Sequence, residues 1–205
     1  MDKRVRKILL LVLGIGIMAC LALGISSAFL KPVNSGTSVT EMQLTSCAKV
    51  MLLEKSNAIR ISNTAPMSDQ LGLQGTPYEF SIKSSCDSSV NYKIYLAILS
   101  DSTLDAQKVK YAIKDKDKNE VVVTGIVGSQ TNALSDFDTA EQKQLSQGIN
   151  GTASSILTIM DNNILANTEK TYQLYLWVDK NSGNEVMNQT FTAGVAAKSF
   201  DEIGD

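Results

Sequence analysis

Apolar and polar residues alternate with a period of two along most of this chain, but only after an uninterrupted apolar run at its start has ended. Tyr78, Phe80 and Ile82 alternate with Glu79, Ser81 and Lys83. Tyr92, Ile94, Leu96 and Ile98 form the longest stripe, with Lys93 and Tyr95 on the opposite face. Val109, Tyr111 and Ile113 alternate with Lys108, Lys110 and Lys114, and the charged stretch 115–119 then turns into Val121-Val122-Val123 as a hairpin. Residues 39–44, 47–53, 58–62, 155–160, 172–178 and 191–195 read as further strands, each side chain facing opposite its neighbours. About nine strands in about 165 residues, with no sustained 3.6-residue pattern, predict an all-β ectodomain, a jelly-roll or immunoglobulin-like β-sandwich.

Two stretches break the rhythm. Residues 64–77 hold two prolines and two glycines and read as an ordered loop over one end of the sandwich. Residues 128–154 are polar and long and read as an insertion; Asp138 followed three residues later by Glu141 marks a short helix over 138–147.

The front of the chain obeys a different rule. Lys3, Arg4, Arg6 and Lys7 precede an uncharged run over 8–30, which as a helix would be roughly 34 Å long, enough for a bilayer's hydrocarbon core. Basic residues stay on the cytoplasmic side, so 31–205 are placed outside. Two readings of 1–30 stand. Ser26-Ser27-Ala28 puts small residues before a signal-peptidase cut between Ala28 and Phe29. The length of the run, and the small residues Gly16, Cys20, Gly24 and Ala28 spaced by four, suit a retained signal-anchor helix. Residues 31–38, with Pro32 and Gly36, form a linker, and 39–205 form the ectodomain. Cys20 is a poor lipidation site, because apolar residues continue well beyond it.

The leader changes the charge picture. The whole chain has a net charge of −2, but four bases and one acid give 1–30 a charge of +3, leaving 15 bases and 20 acids, or −5, for the rest. An acidic exterior domain repels phosphate backbones, so no nucleic-acid partner is expected. The exterior part holds Cys47 and Cys86, and an even count in an exported domain reads as a disulfide.

The chain has no histidine, which removes the usual zinc, copper and iron ligands and the base of Ser-His and Cys-His pairs. Asp115-Lys116-Asp117-Lys118-Asn119 spaces oxygens like a calcium loop, but Glu120 stands where glycine is needed and Ile126 where the bidentate glutamate is needed. Asp179-Lys180-Asn181-Ser182-Gly183-Asn184 fails in the same way, and both read as turns. Gly14-Ile15-Gly16 imitates a dinucleotide loop inside an apolar run without the strand such a loop requires. Asn150-Gly151-Thr152 and Asn188-Gln189-Thr190 match the glycosylation acceptor pattern, which by itself decides nothing. No catalytic residue, cofactor or metal is therefore expected. Tyr175 and Trp177 share one strand face and form the one aromatic pair suited to stacking on a ligand.

Tyr172-Gln173-Leu174-Tyr175-Leu176-Trp177-Val178-Asp179, a polar turn, and Met187-Asn188-Gln189-Thr190-Phe191-Thr192-Ala193-Gly194-Val195 resemble the camelysin/TasA-type family. Ala65-Pro66-Met67-Ser68-Asp69, Pro77-Tyr78-Glu79-Phe80-Ser81-Ile82 and Tyr92-Lys93-Ile94-Tyr95-Leu96 are similar to the front half of the same domain. The resemblance covers about half of the ectodomain. It implies a secreted Gram-positive β-sandwich, released by a dedicated signal peptidase, that serves as a subunit of an extracellular biofilm matrix or fibre. The leader departs from the family by ending Ser-Ala-Phe-Leu, and the cysteine pair is not a general family feature. The metallopeptidase label that relatives carry does not transfer to a chain without histidine.

The expectation is thus an exported, non-enzymatic cell-surface or matrix protein. It would self-associate by strand complementation, with 39–44 as the donated strand. The alternative is a membrane-tethered adhesion module recognising a surface glycan or protein through 128–154 and the Tyr175/Trp177 face.

Overall fold

The computed structural model describes residues 40–44, 51–52, 58–62, 64–84 and 86–200, all within the unit Pro32–Asp205. The predicted leader with its cut at Ala28/Phe29, the linker and Cys47 lie outside the described residues. No helix among the described residues is long and apolar enough to cross a membrane, and the predicted span 8–30 is not among them.

The described chain is an all-β sandwich. One sheet has the order β1 (Thr40–Leu44), β4 (Tyr78–Ser84), β9 (Glu169–Val178), β6 (Val109–Asp115), β7 (Glu120–Ile126). The other runs β10 (Thr190–Phe200), β5 (Val90–Leu99), β8 (Ala153–Ile164), with β2 (Met51–Leu52) and β3 (Ile59–Ser62) both pairing with β10 on its far side. All pairs are antiparallel except β1 with β4, which is parallel and sets Thr40 opposite Phe80 and Leu44 opposite Ser84. The chain changes sheet at nearly every connection, so each strand's inward stripe meets residues far away in sequence.

Period-two alternation builds the core as expected. Phe80 and Ile82, Tyr111 and Ile113, and Tyr172 and Leu174 point inward from one sheet. They meet Tyr92, Ile94 and Leu96, Phe191, Ala193 and Val195, and Leu157, Ile159 and Ile164 from the other. Burying tyrosines here requires partners for their hydroxyls. Tyr92 and Tyr172 provide these for each other across the sandwich, O···O 2.6 Å, Asn162 Nδ2 donates to the Tyr172 oxygen at 3.1 Å, and the Tyr111 hydroxyl donates to the Ile159 carbonyl. Burial pushes the Tyr92 hydroxyl far above its ordinary range.

Where the alternation is irregular, the strand is bulged. On β8 the register slips opposite Ile94/Tyr95, so Ile159 and Met160 are both buried, and again opposite Ile98/Leu99. On β7 it slips between Ile113 and Lys114, leaving Val122 unpaired.

The insertion over 128–154 is built onto the outer face of the β10–β5–β8 sheet. Its helix α2 (Thr139–Gly148) starts with the expected capping box: Glu141 N donates to Asp138 Oδ1 at 2.8 Å and Asp138 N to Glu141 Oε2 at 2.9 Å. Phe137, Leu145 and Ile149 cover Tyr95, Ala97, Leu99, Ile156 and Ala196. The fit needs a notch: a Cβ on Gly194 would collide with the Ile149 side chain. It also needs a tie. Lys198 on β10, only 6% exposed, donates to the Asp136 carbonyl at 2.5 Å and to Glu141 Oε2 at 2.8 Å, with Phe137 beneath its ammonium. A buried ion pair of this kind costs about 3–5 kcal/mol to break by removing one partner.

The Gly194→Ala variant is expected to lose about 1–3 kcal/mol in urea titration, because the overpacked methyl must displace Ile149. Amide exchange should quicken across α2, and adding Ile149→Ala should restore part of the loss.

Candidate functional site

The predicted stacking pair is where the sequence placed it in the chain and is closed where an open face was expected. Tyr175 and Trp177 share the outer face of the β4–β9–β6 sheet with Ala112, but they are only 8% and 2% exposed. The segment 64–77 lies over them rather than over the sandwich end, which corrects that expectation. It is held by Met67 N donating to the Val178 carbonyl at 3.0 Å and by α1 (Asp69–Gly72), whose first turn Ser68 caps. Gly72 lies flat on the indole, and a Cβ there would run into the ring. The physical cause is hydrophobic: an indole and a phenol on one strand face expose enough apolar surface to recruit a cover, here Met67 and Leu73.

Polar groups close the rim. Lys110 Nζ donates to both Asp69 oxygens at 2.5 and 2.7 Å and stands 5.9 Å from the Trp177 ring centroid, while Trp177 Nε1 donates to Asp69 Oδ1 at 3.3 Å. The Lys110 hydrogen bond holds the Asp69 carboxyl below its ordinary range. Farther along the face the Tyr175 hydroxyl donates to Gln173 Oε1, Gln173 Nε2 to Glu79 Oε1 at 2.6 Å, and Lys116 Nζ to Glu79 Oε2 at 2.9 Å. The Lys116 hydrogen bond, with that from Gln173 after it, holds Glu79 low. Each polar side chain in this row already has a partner within the chain, and the arrangement fastens the cover.

Asp115 Oδ1 accepts from Asp117 N and Lys118 N at 3.1 Å, and Asn119 is left-handed at φ 59°, so the calcium-like stretch is a hairpin turn. Asp179 Oδ1 likewise accepts from Asn181 N. No group of three or more His, Cys, Asp or Glu among the described residues is placed to hold a metal ion. Cys86 is fully buried, its N–H donating to Ser84 Oγ at 3.3 Å; no disulfide joins the described residues, and its expected partner Cys47 lies outside them. Along the chain, Cys47 is three residues beyond Leu44 and Cys86 two beyond Ser84, and those two reference residues are paired.

With these apolar patches of the two outer faces covered, the sheet edges differ in how they are guarded. On β8, Thr158 N donates to the Thr131 carbonyl at 3.0 Å and Ala133 N to the Ile156 carbonyl at 2.7 Å, so the insertion also guards that edge. The edge of β10 carries β3 and β2 in tandem. The edge of β4 carries β1, and among the described residues β7 pairs with β6 alone. Val121 and Val122 on β7 are 46% and 41% exposed. The sequence places them on the second arm of a hairpin, and three consecutive valines without a lysine are the signal of an edge that carries no guard of its own.

No family model and no curated protein matches the chain. Among solved structures, the pre-peptidase C-terminal domain of collagenase from Bacillus anthracis is similar at a TM-score of 0.31 and 11% identity, over 79% of this chain and 98% of that one. So distant a likeness does not bear on the chemistry of this chain.

Glu79 makes a pH prediction. A carboxyl held below its ordinary value of 4.5 adds stability that is present above that value and is lost as pH falls through the lowered one. The Glu79→Gln variant should therefore be less stable than the parent at neutral pH, by less than about 1 kcal/mol, and equal to it in strong acid. Thermal melts from neutral to acid pH check this. For the cysteines, intact mass without reductant tests the bridge the sequence predicts between Cys47 and Cys86, which would be worth roughly 3–4 kcal/mol in the loop-entropy model. Two free thiols in the native protein would refute it.

Proposed function

We propose that this chain is an exported, non-enzymatic surface or matrix protein whose copies associate by exchanging an edge strand, as the camelysin/TasA resemblance implies. The observation that carries the reading is β1. It lies at the sheet margin, is the only parallel strand among the described pairs, and joins the domain through a single neighbour in its sheet, β4. A strand so placed is held by main-chain bonds that an identical strand from a second copy supplies equally well. The β7 margin, which pairs with β6 alone among the described residues, supports the same reading as a second strand edge. The alternative of ligand stacking on Tyr175 and Trp177 lacks support, since both rings are spent on holding the 64–77 cover.

Negative-stain imaging of the chain beginning at Phe29 should show oligomers or filaments that grow with concentration. Met42→Pro, which removes a main-chain donor and sets a ring in the middle of β1, should abolish them. Strictly monomeric particles of the parent at high concentration would sink the proposal.

A further inference from the structure

The cover on the β10–β5–β8 sheet ends in a chemically labile pair. Helix α2 closes with Asn150 in the left-handed conformation at φ 52°, where Asn or Gly is favoured. Asn150 N donates to the Gln147 carbonyl at 3.4 Å and Gly151 N to the Ser146 carbonyl at 3.0 Å, the paired bonds that end a helix on a left-handed residue. Asn150-Gly151 is also the one Asn-Gly pair in the chain, and its Asn side chain is exposed. A glycine after asparagine puts no side chain in the way of main-chain attack, so such pairs deamidate readily in open peptides.

We propose that Asn150-Gly151 is a self-modifying site, kept intact while α2 is docked and undocking the insertion once it reacts. The Gly151 nitrogen loses its proton and bonds to Asn150 Cγ, the Cγ–Nδ2 bond breaks, and ammonia leaves with the proton. The resulting succinimide takes up one water and opens to aspartate or isoaspartate. In the docked state the nucleophile is turned away: the Gly151 N–H is committed to Ser146, and the left-handed Asn150 fixes the main chain in the helix-ending geometry. Reaction therefore waits for this turn to open.

The product reverses the docking. Isoaspartate adds one main-chain atom between positions 150 and 151, so the two closing bonds cannot both form. It also sets a negative charge beside a helix C-terminus, where the dipole disfavours it. Ile149, the side chain seated at Gly194, is the residue just before. Undocking bares Tyr95, Ala97, Leu99 and Ala196, an apolar sheet face. This chemistry stands whether or not copies exchange β1.

The test is incubation of the full chain at mildly alkaline pH, with peptide mapping of deamidation and isoaspartate at Asn150, beside a synthetic peptide spanning 144–156. The peptide should react at least about tenfold faster than the protein, since the protein reacts only from its locally open fraction. Lys198→Met, which loosens the tie without touching the pair, should fall between them. Equal rates for protein and peptide, or no acceleration in Lys198→Met, would overturn the protection. Isoaspartyl protein separated by ion exchange should show faster amide exchange over 139–149. Asn150→Asp, with the charge but an ordinary main chain, should show a smaller increase, and Asn150→Gly none. Unchanged exchange in the isoaspartyl form would overturn the undocking.

Discussion

Two sheets packed face to face bury one side each, and this chain carries apolar side chains on the other sides as well. Tyr95, Ala97, Leu99 and Ala196 stand on the outside of one sheet, Tyr175 and Trp177 on the outside of the other. Keeping water from these second faces is the constraint from which the rest of the molecule follows. It explains why two segments of mainly polar composition are ordered at all: each is held down by the apolar surface it shields.

The two covers solve the same problem with similar parts. Each sets one large side chain against a glycine, Trp177 under Gly72 and Ile149 on Gly194, and each adds a lysine–carboxylate tie, Lys110 to Asp69 and Lys198 to Glu141. The ties differ in depth. Lys110 and Asp69 meet at the surface, where an ion pair contributes little. Lys198 is buried and joins the capping box of α2, so helix start, sheet and insertion depend on one ammonium group. That dependence makes the insertion a cooperative unit, able to leave the sheet as a whole.

Legibility followed from which forces are local. Strand positions were readable because alternation is imposed by the pleat, and the capping box of α2 because both partners lie within one turn. The closed state of Tyr175 and Trp177 was not, because nothing in the strand pattern distinguishes a face that meets solvent from one that meets a distant loop. The bulges at Ile159 and Val122 were equally silent, since a bulge is defined by the neighbouring strand. Nothing in the strand pattern marks Gly194, whose purpose exists only once Ile149 arrives.

The sequence by itself determined the all-β character, the inward stripes, the turns at 115–119 and 179–184, and the lack of any imidazole for metal or nucleophile chemistry. These depend on composition and on contacts between residues near in the chain. The tertiary structure alone decided that β1 runs parallel to β4, that β7 pairs with β6 alone among the described residues, and that an apolar patch on each outer face is covered. Those outcomes depend on which remote surfaces meet, and hydrophobic burial, being non-directional, leaves that choice to the packing of the whole.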